Sequence, residues 1–207
     1  YNEVINEEYT MNKDRLILIT NPGSSSRKYA LYRGNDFLCS LHFEFEGKKV
    51  IYTLKKLDGS KEKRETKLKD LSFVVNNLEE ILAREGYLEG ATKLDAILAR
   101  VAAPGSYFAT DHIVNEECLK QLDIAKERAP LHAPVIASEV EQLRKVFKET
   151  LIIAISDSAF HNDRSEVAKS YAIDTELAQK FDIQRWGYHG LSVGSIVRFL
   201  EKENALP

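Results

Sequence analysis

The chain has 207 residues, 43% hydrophobic and 29% charged, with a formal net charge of −3. That length allows one large domain or two small ones, and that composition is ordinary for a globular protein able to bury a substantial core. The slightly acidic balance argues against a general nucleic-acid binder, and the lack of any 18-residue apolar run argues against a membrane span.

The first ten residues, Tyr1 to Thr10, are polar and acidic, unlike a signal peptide. Met11 is the expected natural start, and residues 1–14 are expected to be a disordered or non-native leader. Strands are expected at 15–20, 28–33, 37–45 and 49–57, with turns at Gly34-Asn35-Asp36 and Glu46-Gly47-Lys48. Sequential hairpins follow from that spacing. Between the first two strands lies Asn21-Pro22-Gly23-Ser24-Ser25-Ser26-Arg27-Lys28. A tight turn of that composition aims backbone N–H groups, hydroxyls and one ammonium at a phosphate. It also suits an ordinary serine-rich turn. It is not a Walker A loop, which needs two Gly four residues apart, then Lys and Ser/Thr, running into a helix. The mixed charges of 55–69, including Lys55, Lys63, Arg64 and Glu65, suggest a solvated loop.

A helix is expected over 71–85, capped by Asp70 and ended by Gly86. Leu94–Ala99 reads as a short buried strand, followed by helices over 116–127 and over 134–148, the latter opening at Pro134. Leu151–Ile155 reads as the clearest buried strand and ends in Ser156-Asp157-Ser158. Ligand sites of open α/β sheets gather at such strand ends. Asp174 should cap a short helix reaching Phe181, and Ser192 a last helix reaching Glu203.

Polar clusters therefore stand at the ends of apolar elements: Asn21 to Lys28, Arg100, Asp157 with His161 nearby, and Trp186-Gly187-Tyr188-His189-Gly190. His132, pinned between Pro130 and Pro134, adds another. Singly, each is an ordinary surface or packing group. Together they supply the cations, carboxylate and imidazoles that phosphoryl transfer uses, where catalysis is mostly positioning and charge neutralisation. An aspartate suits Mg²⁺ by oxygen ligation, and an arginine forks across phosphoryl or carboxylate oxygens. No zinc motif and no nucleophile elbow is present. Cys39 and Cys118 lie too far apart for a disulfide framework or metal spacing, so a reducing, cytoplasmic compartment is expected.

These residues resemble the acetate kinase family. Asn21 to Lys28 resembles its Asn-x-Gly-Ser-Ser-Ser-x-Lys, and Ala129-Pro130-Leu131-His132-Ala133-Pro134 its Ala-Pro-Leu-His-Asn-Pro. Asp157-Ser158-Ala159-Phe160-His161 is similar to Asp-Thr-Ala-Phe-His, and Arg185 to Ser192 to Arg-Tyr-Gly-Phe-His-Gly-Thr-Ser. The resemblance implies an α/β, ribonuclease H-like domain, a mixed sheet flanked by helices, from the actin-like ATPase superfamily. Residues 15–207 would form the N-terminal domain, and the second, nucleotide-binding domain would be absent. The implied reaction moves the ATP γ-phosphoryl group to acetate or a similar short carboxylate, with Mg²⁺, giving an acyl phosphate. The implied partners are that carboxylate, a nucleotide, the missing C-terminal domain and, in the complete protein, a second copy. The isolated chain is expected to be inactive.

By the same resemblance, Asn21, Ser24, Ser26 and Lys28 bind the transferring phosphoryl group, and Asn21 and Asp157 serve the metal. Arg100, Asp157, His132 and His189 are the implied catalytic residues, with Arg100 holding the carboxylate or phosphoryl oxygens. Ala102, Leu131 and Tyr188 would shape the acyl pocket. The family's His-Arg-Val-Val-His-Gly-Gly is here Ala99-Arg100-Val101-Ala102-Ala103-Pro104-Gly105, and Val193 stands where a His usually follows Thr-Ser. Those departures leave open a diverged, non-catalytic homologue acting as a binding or regulatory module.

Overall fold

A computed structural model describes residues 14–88 and 93–205. The expected leader, Asp14 apart, lies outside the described residues. Five strands come first: β1 (Leu16–Pro22), β2 (Ser26–Arg33), β3 (Asp36–Glu46), β4 (Lys49–Lys56) and β5 (Lys61–Glu65). Each pairs antiparallel with the next, as the hairpin spacing predicts. After helix α1 (Val74–Arg84) the sheet is extended by β6 (Ala96–Val101) and β7 (His112–Ile113). Helices α2 (Glu116–Arg128) and α3 (Ala133–Val146) then lead to β8 (Leu151–Ser156). The eight-stranded sheet runs in the order β5-β4-β3-β2-β1-β6-β8-β7.

Alternation makes the sheet two-faced. Leu16, Leu18, Tyr29, Leu31, Leu41, Phe43, Tyr52, Leu54, Ile97 and Ala99 are buried, whereas Ile19 and Leu151 are exposed. The buried positions join the apolar stripes of the helices in one core. Val74, Val75, Leu78, Ile81 and Leu82 supply it from α1, and Ile136, Val140 and Leu143 from α3. The first turn expected for α1 is a 3₁₀ turn, Leu71–Phe73, where the Asp70 carboxylate accepts from the Ser72 N–H.

The central strands β1, β6 and β8 are parallel and in register, Thr20 opposite Ala99 and Ala99 opposite Ala154. Their C-terminal ends therefore emerge at one edge. The β6 strand is two residues later than Leu94–Ala99, so Arg100 lies within it. Short helices α4 (Glu166–Lys169) and α5 (Thr175–Lys180), and finally α6 (Gly190–Lys202), follow β8.

Two expectations are corrected. Residues 61–65 form an edge strand within the expected loop, four of the five exposed. Cross-strand ion pairs, Lys63 to Glu46 at 2.5 Å and Lys49 to Glu65 at 3.0 Å, replace an apolar face there. The last helix begins at Gly190, with His189 at its cap, two residues before Ser192. The close approach described below fixes that start.

Candidate functional site

The β1–β2 hairpin carries the serine-rich turn, and the chain continues as strand after Lys28, not as a helix. Asn21 pairs with Lys28 across the ladder, so both side chains share one sheet face. The Gly23 N–H donates to the Ser26 carbonyl at 2.9 Å, closing the turn. Ser24 is exposed, Ser26 half-buried and Lys28 exposed. Lys28 forms no salt bridge among the described residues.

Arg27 points the other way and is buried. Its Nε donates to Glu139 on α3 at 3.1 Å, and its Nη1 to the carbonyls of Gly23 and Ser26. Glu139 also accepts from Thr20 at 3.1 Å and from Tyr29 at 2.5 Å. Burial pushes the Glu139 carboxyl up, opposed by the Tyr29 hydrogen bond and the Arg27 charge. Burial, then the Glu139 charge, holds the Tyr29 hydroxyl well above its ordinary value. This cluster ties the serine-rich turn to the helix that follows His132. Sequence reading missed it, because Thr20, Arg27, Tyr29 and Glu139 meet only through the fold.

At the parallel-strand edge, Arg100 on β6 forks onto Asp157, Nε at 3.2 Å and Nη2 at 2.7 Å. Its Nη1 donates to the Asn21 side-chain carbonyl at 3.1 Å. Asp157 follows β8 directly and is 1% exposed, while the Arg100 side chain is 27% exposed. The His189 backbone N–H completes the carboxylate shell at 2.8 Å. Three sequence clusters, Asn21, Arg100 and Asp157, therefore converge, with Lys28 on the adjoining strand and the His189 loop closing the edge.

The Asp157 loop and α6 are in close contact. A Cβ on Gly190 would stand 2.6 Å from the Asp157 carbonyl oxygen, and one on Gly194 would stand 2.8 Å from the Phe160 ring. Glycines four apart put bare backbone on one helix face, the sequence signal that would have located this contact. The Gly190 N–H donates to the Asp157 carbonyl at 2.7 Å. The left-handed φ of 65° at His189 turns the chain into α6. A non-glycine residue there costs of order 1–3 kcal/mol. His161 braces the same loop, its ring packed on Gly187 and its Nε2 3.2 Å from the Tyr188 carbonyl.

The other expected residues lie further out. His132 is exposed at the cap of α3 and Leu131 is 79% exposed. No hydrogen bond joins His132 to Asn21, Arg100 or Asp157 among the described residues. Ala102 is half-buried, and Tyr188 is 38% exposed. Burial, with the nearby Tyr171 and Asp157 charges, raises the Tyr188 hydroxyl above its ordinary value.

The oxygen donors suit a hard cation. No group of three or more His, Cys, Asp and Glu side chains capable of holding a metal occurs among the described residues.

The sheet order, with its parallel centre and antiparallel flank, is that of a ribonuclease H-like domain of the actin-like ATPase fold. The chain belongs to the acetokinase family, whose model matches residues 16–205. It is 29% identical over 178 residues to an acetate kinase of Oceanobacillus iheyensis, covering 85% of this chain and 45% of that protein. It is 30% identical over 178 residues to an acetate kinase of Campylobacter lari, with the same 85% and 45% coverage. Among solved structures it superposes on a propionate kinase from Francisella tularensis with a TM-score of 0.79 and 28% identity, covering 91% of this chain and 48% of that one. A Porphyromonas gingivalis acetate kinase gives a TM-score of 0.78 at 24% identity, with 92% and 49% coverage, a likeness of fold alone. The chain spans about half the length of the relatives it matches.

Proposed function

We propose that the chain is the first half of a carboxylate kinase, which transfers the γ-phosphoryl group of ATP to acetate or a similar short carboxylate. The observation that carries this reading is the convergence of Asn21, Arg100, Asp157 and the His189 N–H at the C-terminal edge of β1, β6 and β8. Such an edge, in a chain of this family, is where ligands of open α/β sheets bind.

In this reading each group has a task. Arg100 already presents a two-donor fork to a carboxylate, that of Asp157, and a substrate carboxylate or phosphoryl group would take the same donors. Lys28 adds a point charge beside Asn21, and Ser24 and Ser26 line the turn where phosphoryl oxygens would sit. Exposed His132 and His189 would donate hydrogen bonds as charge develops, the electrostatic help this chemistry needs most. Ala102, Leu131 and Tyr188 would bound the acyl group. Asp157 and Asn21 would hold Mg²⁺, which supplies neutralisation of phosphate charge when bound. The nucleotide would come with a second, nucleotide-binding half. A homodimer in the cytoplasm belongs to the same proposal.

The test is hydroxylamine trapping of acyl phosphate from ATP, Mg²⁺ and acetate, with the nucleotide-binding half present in cis or in trans. Asp157→Asn should lose the Mg²⁺-dependent product while keeping its circular-dichroism spectrum. Wild-type turnover in that variant would remove Asp157 from the chemistry. No turnover in the wild-type protein with both halves present would favour the binding-module reading.

A further inference from the structure

Beside the Asp157 loop, a second polar feature is lined by none of the residues placed in the phosphoryl site. A small cleft, partly open to solvent, lies between residues 158–164 and residues 184–186. Its enclosed interior has room for about one water-sized body. Arg164, Lys169 and Arg185 line it together with Ser158, His161 and Trp186, and no Asp or Glu is among the lining residues. Ser158 is 4% exposed, and its Oγ makes no hydrogen bond. Leaving a buried hydroxyl unpaired is unfavourable, so it marks a place for a partner.

The surrounding chemistry specifies that partner. Arg164 spends its Nε on the His161 carbonyl at 2.9 Å and its Nη2 on the Arg185 carbonyl. Both bonds are to neutral groups, so its charge is not cancelled. Arg185 lies over the Tyr171 ring at 5.1 Å, also without a carboxylate partner among the described residues. Lys169 alone has one, Glu166 at 3.3 Å, itself 88% exposed. Three cations line the cleft beside two neutral amides, Asn162 and Gln184, and no carboxylate. A water would need acceptors for its two hydrogens, whereas an anion needs only donors.

We propose that this cleft is a binding site for a small monovalent anion of halide size, received by the Ser158 hydroxyl and the cations of Arg164, Lys169 and Arg185. The anion ties the segment following Asp157 to the segment leading into His189. It thereby braces the two loops that close the strand edge, whatever reaction occurs there.

Trp186 lines the cleft and is the chain's one tryptophan, so it reports occupancy directly. Bromide is titrated against Trp186 fluorescence in this chain, with sodium gluconate holding the ionic strength. A saturable quenching component that added chloride displaces is expected. Ser158→Ala and Arg164→Gln should each lose that component and retain only linear collisional quenching. Their unchanged circular dichroism would show that the fold is intact. Linear quenching in the wild type would overturn the proposal. So would a saturable component that survives both substitutions, since the halide would then bind elsewhere. A variant that fails to fold is replaced by Ser158→Gly or Arg164→Lys, for which a weakened saturable component supports the site and an unchanged one refutes it.

Discussion

Gly190 shows how much a site can rest on a missing side chain. The 2.6 Å approach to the Asp157 carbonyl is to backbone, which has no rotamer to yield. Gly190→Ala should therefore destabilise the protein by about 1–3 kcal/mol, the usual cost of overpacking, and displace the Asp157 loop from α6. Urea unfolding measures the first effect, and loss of protection at the Gly190 amide in hydrogen exchange measures the second. Unchanged values for both would mean that α6 shifts freely. Arg100 permits a companion test. Arg100→Lys keeps the charge and loses the planar fork that spans Asp157 and Asn21. In the complete enzyme kcat/KM should fall by an amount equivalent to about 3 kcal/mol, the order expected for one transition-state contact. An unchanged kcat/KM would place Arg100 outside the chemistry. At this scale the sequence was informative, because Asn21, Lys28, Arg100, Asp157 and His189 are motif positions with recognisable chemistry. What it hid was their present engagement: no motif shows that the Arg100 fork already holds Asp157.

Elements were legible where one face is apolar. α1 and α3 repeat at helical period while β1 and β8 are short unbroken apolar runs, and their existence followed from those patterns. β5 was not legible, since Lys61-Glu62-Lys63-Arg64-Glu65 has no apolar member and is held by ladder bonds and charge pairs at a sheet edge. Each exposed pair there contributes at most about 1 kcal/mol, too little to mark the sequence. The Arg27–Glu139 pair between the serine-rich hairpin and α3 is different, for its side chains are 9% and 3% exposed. Glu139→Ala should cost about 3–5 kcal/mol, because it strands the Arg27 charge in the core. Replacing both, Arg27→Met with Glu139→Leu, should cost far less than the sum of the single changes. Chemical denaturation of the single and double variants gives the coupling energy directly. Additive losses would show that the pair does not bind the hairpin to the helix.

Across the whole molecule, the two cysteines carry the clearest titration statement. Burial pushes the Cys39 thiol up to about 12 and the Cys118 thiol up to about 11. An acid whose pKa is raised stays protonated to higher pH, so at pH 8 only ~10⁻⁴ and ~10⁻³ of each would be thiolate, the reactive form. Native protein at pH 8 should leave Ellman's reagent colourless over minutes, while denatured protein reacts at both positions. Rapid native colour would mean that the sheet opens around Cys39 or α2 around Cys118. Overall architecture was read from strand spacing and motif resemblance together. The pairing of β6 with β8 was beyond either, since the two strands lie about fifty residues apart and nothing local dictates that they meet. The same ion pair that closes the strand edge has one further consequence. While Arg100 and Asp157 hold each other, an incoming anion and an incoming cation must each break a bond the protein has already made. A cation drawn to Asp157 releases the guanidinium, and an anion taken by Arg100 releases the carboxylate. Either arrival thus prepares the place of the other, and by thermodynamic reciprocity the help must be equal in both directions. Calorimetric titration of this chain should find acetate bound about fivefold or more tightly in saturating Mg²⁺ than without it, and Mg²⁺ strengthened by the same factor in acetate. Indifference of each to the other would mean that the guanidinium and the carboxylate never part.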